Sequence, residues 1–173
     1  GRTSTFFEPT VDYCVFKICR FTFEKFALAD RTLNTSMKAV GEAMSIGRNF
    51  REALQKGIRS TETGRFGLGS DGKDRFTDEQ LAKADAETLE LIRQKISVPN
   101  DERIFYLSYA LRAGLTVGQI YELSKVDRWF IDNLRQIVEL EDELKKYRSA
   151  DGTQVSVDDA LLARAKEDGF SDK

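Results

Sequence analysis

No histidine occurs among the 173 residues, which removes the side chain most used for proton transfer and metal ligation near neutral pH. Histidine-based triads and histidine-ligated metal centres are therefore excluded within the chain. Proline is scarce, at two residues, and Cys14 and Cys19 are the only cysteines. Five positions apart, with opposite parity on a presumed strand, the two thiols would need that strand to bend before they could join. Free thiols in a reducing cytosol are the expectation. Charge of one sign is missing too: 27 Lys and Arg face 29 Asp and Glu, a net charge of -2, so no strong field favours nucleic acid or an anionic membrane. No run approaches the roughly 20 apolar residues of a membrane span, and the basic-then-apolar layout of a signal peptide is lacking. A cytoplasmic protein with neither nucleic-acid nor membrane partners is expected.

What remains is ordinary globular composition, 40% hydrophobic and 32% charged, at a length suited to one domain. Val11 to Phe23 reads as a β-strand apolar on both faces. Val11, Tyr13, Val15, Cys19 and Phe21 fall on one side, and Cys14, Phe16 and Ile18 on the other. That is the pattern of a strand inside a covered sheet. No other stretch reads convincingly as its partner, and a lone strand cannot satisfy its own backbone. The chain therefore reads as a piece of a larger protein. Phe23 to Asn34 has no clean period and reads as an ordered loop burying Phe26 and Leu28.

Helical spacing dominates from Arg48 onward. Phe50, Ala53, Leu54, Gly57 and Ile58 form one amphipathic stripe ending near Gly64. Gly64 to Phe76 holds four of the twelve glycines and reads as a loop. Thr77 with Gln80 makes a capping box, followed by Ala86, Leu89, Ile92 and Ile96 until Pro99. Asn100 or Asp101 caps the next helix, whose inward residues are Ile104, Leu107 and Leu111 and whose stop is Gly114. Thr116 to Gln119 opens another helix, with Ile120 and Leu123 inside. Asp127 caps a long one carrying Phe130, Leu134, Ile137 or Val138, and Leu144, with Lys145, Lys146 and Arg148 at its C-terminal end. Ser156 is the expected cap of a last helix with Leu161, Leu162 and Ala165 inside and Gly169 at its end. The fold class is mainly α, an irregular helical domain of about six or seven helices with one short N-terminal β element.

Candidate chemistry is sparse. Gly67 to Gly72 matches G-x-G-x-x-G, and Gly67 to Lys73 falls one residue short of a P-loop. Both motifs need a strand before and a helix N-terminus after, so that backbone N–H groups meet phosphate. Neither flank fits, and Asp71 and Asp74 would repel the ligand. Asp78, Glu79, Asp85, Glu87 and Glu90 are spread around helix starts, where acids belong. Glu139, Glu141, Asp142 and Glu143 read as a solvated face, with Lys145 and Lys146 as i to i+4 partners. Trp129 and Phe130 read as a core anchor, with a partner hot spot as the alternative.

Three stretches together carry a resemblance: Phe7 to Phe26, including Lys17-Ile-Cys-Arg20; Met37-Lys-Ala-Val-Gly-Glu-Ala-Met-Ser-Ile-Gly-Arg48; and Glu102 to Tyr106 with Tyr121 to Phe130. The chain resembles, along its whole length, the large subunit of carbamoyl phosphate synthetase. It departs from the family's usual Lys-Ile-Pro-Arg by Cys19, which returns a backbone N–H at that position. The resemblance implies residues 1–34 as the last strand and exit loop of the first, carboxyphosphate-forming ATP-grasp half, and 35–173 as the helical oligomerization domain. It also implies a parent that makes carbamoyl phosphate from bicarbonate, glutamine-derived ammonia and two molecules of ATP, with magnesium or manganese and potassium, for pyrimidine and arginine synthesis. In that family the nucleotide- and metal-binding residues lie outside the stretch matched here. No catalytic, cofactor-binding or metal-binding residue is thus carried over, and no cofactor is expected in this chain. The implied role is a non-catalytic scaffold that self-associates, with the flanking ATP-grasp domains as partners and the glutaminase subunit as a further candidate. Met44, Ile46, Leu54 and Ile58 are the subunit-interface candidates, because two apolar stripes so close in sequence cannot all face one small core. The alternative is a free-standing nucleotide- or phosphate-binding module using the Gly64–Asp74 loop.

Overall fold

The computed structural model describes residues 4–7, 12–26, 28–147 and 156–172. Two strands come first, β1 (Cys14–Arg20) and β2 (Gly41–Gly47), joined by a long loop that holds one 3-10 turn at Phe23–Lys25. Seven helices follow among the described residues: α1 (Phe50–Ser60), α2 (Asp78–Ala82), α3 (Ala86–Ser97), α4 (Arg103–Arg112), α5 (Val117–Ser124), α6 (Arg128–Lys145) and α7 (Asp159–Glu167). The fold is mainly α with a short N-terminal β element, as the periodicity implied.

The strand is not an orphan. β1 pairs antiparallel with β2, from Cys14 opposite Gly47 to Arg20 opposite Gly41. Within β1 the burial alternates, so Phe16 and Ile18 face inward while Val15, Lys17 and Cys19 face out. The sheet is therefore covered on one side only. Val11, where the strand was expected to begin, lies outside the described residues. Both cysteines are free, Cys14 half-buried and Cys19 exposed, as opposite parity on a straight strand requires.

α1 covers the inner face of the hairpin, and two glycines let it come close. A Cβ on Gly57 would sit 2.8 Å from Phe16 Cδ1, and one on Gly47 would sit 2.6 Å from the Ala53 nitrogen. Between them the Ser45 hydroxyl donates to the Ala53 carbonyl at 2.6 Å. α1 starts where Asn49 Oδ1 accepts from the Glu52 N–H and Glu52 Oε2 accepts from the Arg48 N–H, a reciprocal cap. Its opposite stripe, Leu54 and Ile58, enters a core shared with Ile92 and Ile96 of α3, Leu107 and Ala110 of α4, Ile120 of α5, and Ile131, Leu134 and Ile137 of α6.

The loop before β2 differs from expectation. Phe26 and Leu28 are exposed, and the residue buried there is Phe23. The loop is tied down by polar contacts instead. Leu33 N–H donates to the Pro99 carbonyl at 2.8 Å, Arg31 pairs with Asp101, and the Lys38 ammonium donates to Asp30 and to the Thr32 carbonyl.

Several capping signals hold. Thr77–Gln80 and Thr116–Gln119 form full capping boxes. Helix α4 opens at Glu102, with Asn100 Oδ1 accepting the Glu102 N–H rather than capping the helix directly. What read as one helix from Thr77 is two, because Asp85 starts α3 by accepting from Thr88. The last helix is capped by Asp158, not Ser156, and Arg148 lies outside the described residues. Gly114 and Gly169 both end helices with positive φ. After each, the next N–H reaches five residues back, Leu115 to Ala110 and Phe170 to Ala165, the Schellman arrangement.

At Gly169 the α7 terminus meets α1. The carbonyls of Glu167, Asp168 and Gly169 receive N–H groups from Asn49, Gln55 and Arg59, and Arg51 pairs with Asp168 at 2.8 Å. A Cβ on Gly169 would lie 2.9 Å from the Glu52 Cα, at φ +82. Gly169→Ala should cost roughly 2–4 kcal/mol, left-handed strain adding to overlap; an unchanged urea midpoint would contradict this. In the loop, the Asp30 carboxyl is drawn down to about 2 by the Lys38 ammonium and the Thr32 N–H. Its contribution to stability is therefore complete above the ordinary Asp value of about 4 and is lost as pH falls toward that lowered value. An NMR titration placing Asp30 at the ordinary value would refute the contact.

Candidate association surface

The outer face of the hairpin is an apolar stripe. Val15 lies opposite Ile46 and Lys17 opposite Met44, and Tyr13, Val15, Met44 and Ile46 are all exposed, Met44 at 66% and Ile46 at 58%. Its one ion pair is Lys17 with Glu42 at 3.0 Å. β2 thus carries small residues inward, Ala43, Ser45 and Gly47, and large ones outward. Leu54 and Ile58, each 1% exposed, are core residues. α1 shows its apolar stripe to α4 and α6 rather than to a second molecule, which corrects the expectation for these two. Of the four interface candidates the structure brings Met44 and Ile46 together and sends Leu54 and Ile58 inside.

Trp129 and Phe130 are not fully internal either. With Phe50 they form a ring cluster at centroid distances of 5.0–5.3 Å, and Phe50 meets Phe16 edge-on at 5.7 Å. Trp129 is nevertheless 55% exposed. The pair anchors α6 to α1, as the core-anchor reading has it, and leaves part of its aromatic surface exposed.

The glycine loop has its own anions. Asp71 accepts the N–H groups of Phe66 and Lys73, and Asp74 accepts that of Ser70. The Leu68 N–H donates to Gln55. Four of the loop's N–H groups are thus taken by its own carboxylates and by Gln55 of α1 rather than left for a phosphate. Arg65 holds both carboxylates, at 3.0 Å and 2.8 Å, and stacks over Phe105. Leu68, 1% exposed, pins the loop to the core.

Glu141 departs from the expected solvated face. It is buried and meets Arg112 at 2.6 Å, Lys145 at 2.7 Å and the Ser70 hydroxyl. Asp78 joins the same group through Arg112 and Lys145. Burial raises the Asp142 carboxyl, with Arg112 and Lys145 opposing. Arg112 carries no signal in the sequence, since its partner lies 29 residues away. Asp85 serves as a cap, Glu139 pairs with Arg135, and Glu143 pairs with Arg164. Among the described residues no group of three or more Asp, Glu, Cys or His is placed to hold a metal, and no helix is long and apolar enough to cross a membrane.

The described residues thus form a seven-helix domain with one hairpin and an open apolar sheet face. Residues 42–173 match the family described as carbamoyl-phosphate synthetase large chain, oligomerisation domain. The carbamoyl phosphate synthase large chain of Archaeoglobus fulgidus is 47% identical over 171 residues, covering 99% of this chain and 15% of the relative. That of Rhodopirellula baltica is 46% identical over 172 residues, with the same coverage. The N-terminal section of the large chain from Aquifex aeolicus is 45% identical over 170 residues, 98% of this chain and 27% of the relative. The chain belongs to this oligomerisation-domain family. It spans about a seventh of the length of the two full-length relatives.

Arg112→Met should cost about 3–5 kcal/mol by leaving Glu141 buried with a weaker partner set, nearer the lower figure because Lys145 remains. Arg112→Met with Glu141→Leu should recover most of that loss in chemical denaturation; a double variant no better than the single would contradict the assignment.

Proposed function

We propose that the chain is a non-catalytic association and linker unit of a carbamoyl phosphate synthase large chain, and that copies meet through the outer hairpin face at Met44 and Ile46. The observation that carries the reading is an open sheet face presenting four large apolar or aromatic side chains with one ion pair across it, in a family described by oligomerisation. Such a face is costly to leave in water and suits self-association. The parent reaction is the ATP-dependent formation of carbamoyl phosphate from bicarbonate and glutamine-derived ammonia. ATP, magnesium or manganese, and potassium act elsewhere in the parent. The flanking ATP-grasp domains are neighbouring partners, with the glutaminase subunit a further one, and the free thiols suit the cytoplasm.

The same reading places β1 with the first ATP-grasp half and the helices with the association unit. The hairpin register then couples the two, since β2 pairs with β1 and the family match begins within β2.

Sedimentation velocity over a wide concentration range tests self-association. The unaltered chain should form a discrete oligomer, and Ile46→Glu should return it to monomer with its unfolding midpoint nearly unchanged. Association indifferent to Ile46→Glu and Met44→Lys would move the interface elsewhere.

A further inference from the structure

A cavity of about 800 Å³ opens between β1 and α4, with the loop 61–75 on its rim. Its floor and walls are apolar, from Phe16 and Ile18 of β1, Leu54 of α1, Leu107 of α4 and Leu134 of α6. Six Lys or Arg and four Asp or Glu line it, a positive surplus in a chain whose net charge is negative. The four acids do not cancel these cations evenly. Arg20 takes Glu24, and Arg31 takes Asp101 and Glu102. The Lys73 ammonium donates to the Thr63 carbonyl, and among the described residues no carboxylate lies within ion-pair distance of the Lys73 ammonium or the Arg75 guanidinium. Two cations without a carboxylate partner thus stand at the mouth of an apolar chamber, the Arg75 guanidinium 5.8 Å from the centre of the Phe76 ring.

Their place is set by bonds already made. The Arg75 N–H donates to the Tyr109 hydroxyl at 3.1 Å, that hydroxyl donates to Asp74 at 3.1 Å, and Asp74 is held by Arg65. Beside Arg75, Tyr106 lines the same cavity at 2% exposure, and its hydroxyl has no hydrogen-bond partner. Buried phenols are nearly always paired. Burial raises the Tyr106 phenol, with Arg75 opposing, so it is a proton donor at neutral pH.

From this juxtaposition of apolar chamber, cations without a carboxylate partner and a buried phenol without a hydrogen bond, we infer that the cavity binds a small organic oxyanion, a carboxylate or phosphate ester on an aromatic or aliphatic body. The volume falls in the range of small-molecule sites, which are apolar with a few placed polar groups. Lys73 and Arg75 receive the oxyanion, while Phe16, Ile18 and Leu107 take the body. This use of the loop differs from a backbone phosphate cradle, because it draws on the side chains of Lys73 and Arg75, while the N–H groups of Phe66, Leu68, Ser70 and Lys73 are already bonded within the molecule.

The test is a titration of the full chain, methyl-labelled at Ile, Leu and Met, with 2-naphthoate, 2-naphthyl phosphate and the neutral 2-naphthalenemethanol, read by naphthyl fluorescence and methyl NMR. The expected result is saturable 1:1 binding of at least one anion, with shifts at Ile18, Leu107 and Leu134 and none at Met44 or Ile46. The tighter of the two anions identifies the headgroup. Arg75→Gln and Lys73→Gln should each weaken the anions about tenfold and leave the alcohol unchanged, the size of one lost charge-assisted contact. No saturable binding, shifts on the outer hairpin face, or anion affinity indifferent to both variants would overturn the inference. Equal or tighter binding of the alcohol would overturn the oxyanion assignment.

Discussion

A hairpin of two strands cannot hold itself together in water, so the sheet depends on how closely α1 can approach it. That approach is set by Gly47 and Gly57, where there is room for hydrogen and for nothing larger without displacement. α1 is only eleven residues long, yet it meets the hairpin on one side, the helical core on another and the end of α7 on a third. Its polar residues work as hard as its apolar ones. Asn49, Gln55 and Arg59 supply donors to the carbonyls that α7 leaves unsatisfied at its C-terminus.

The second organising element is the buried charge group around Arg112 and Glu141. It joins α4 to α6 and, through Ser70, holds the glycine loop against both. The loop is thereby a fixed wall of the molecule. Ser70 sits at positive φ, a conformation unusual for serine, and is held there by its N–H to Asp74 and its hydroxyl to Glu141. A segment rich in glycine has been made rigid by side chains that accept its own N–H groups.

What the residues disclosed and what they hid divides along a physical line. Local signals were legible: the capping boxes at Thr77 and Thr116, the cap at Asp127, the glycine stops at 114 and 169, and the α1 stripe all act within a few residues of themselves. β2 was hidden because its polarity is inverted. A strand pressed against a helix through glycine carries its small residues inside, so its large residues, Met44 and Ile46, read as interface candidates without the strand itself being recognised. The buried face of Glu141 was hidden because its partner comes from another helix. Leu54 and Ile58 are named with Met44 and Ile46 because two apolar stripes so close in sequence are not expected to share one small core; with β2 turning its stripe outward, the core is left to α1. The resemblance to a family read correctly from three stretches, since those stretches carry identity rather than geometry.

The antiparallel register has a mechanical side as well. Cys14 faces Gly47 at the open end of the hairpin, and the long connection closes the other end. A displacement transmitted through Tyr13 therefore loads one rung at a time, starting at Cys14 and Gly47, while Gly47 is anchored to the start of α1. The hairpin yields like a zipper rather than sliding as a unit. Movement on the Tyr13 side would thus reach the helices in small graded steps, each one opening part of the inner face at Phe16 before the next.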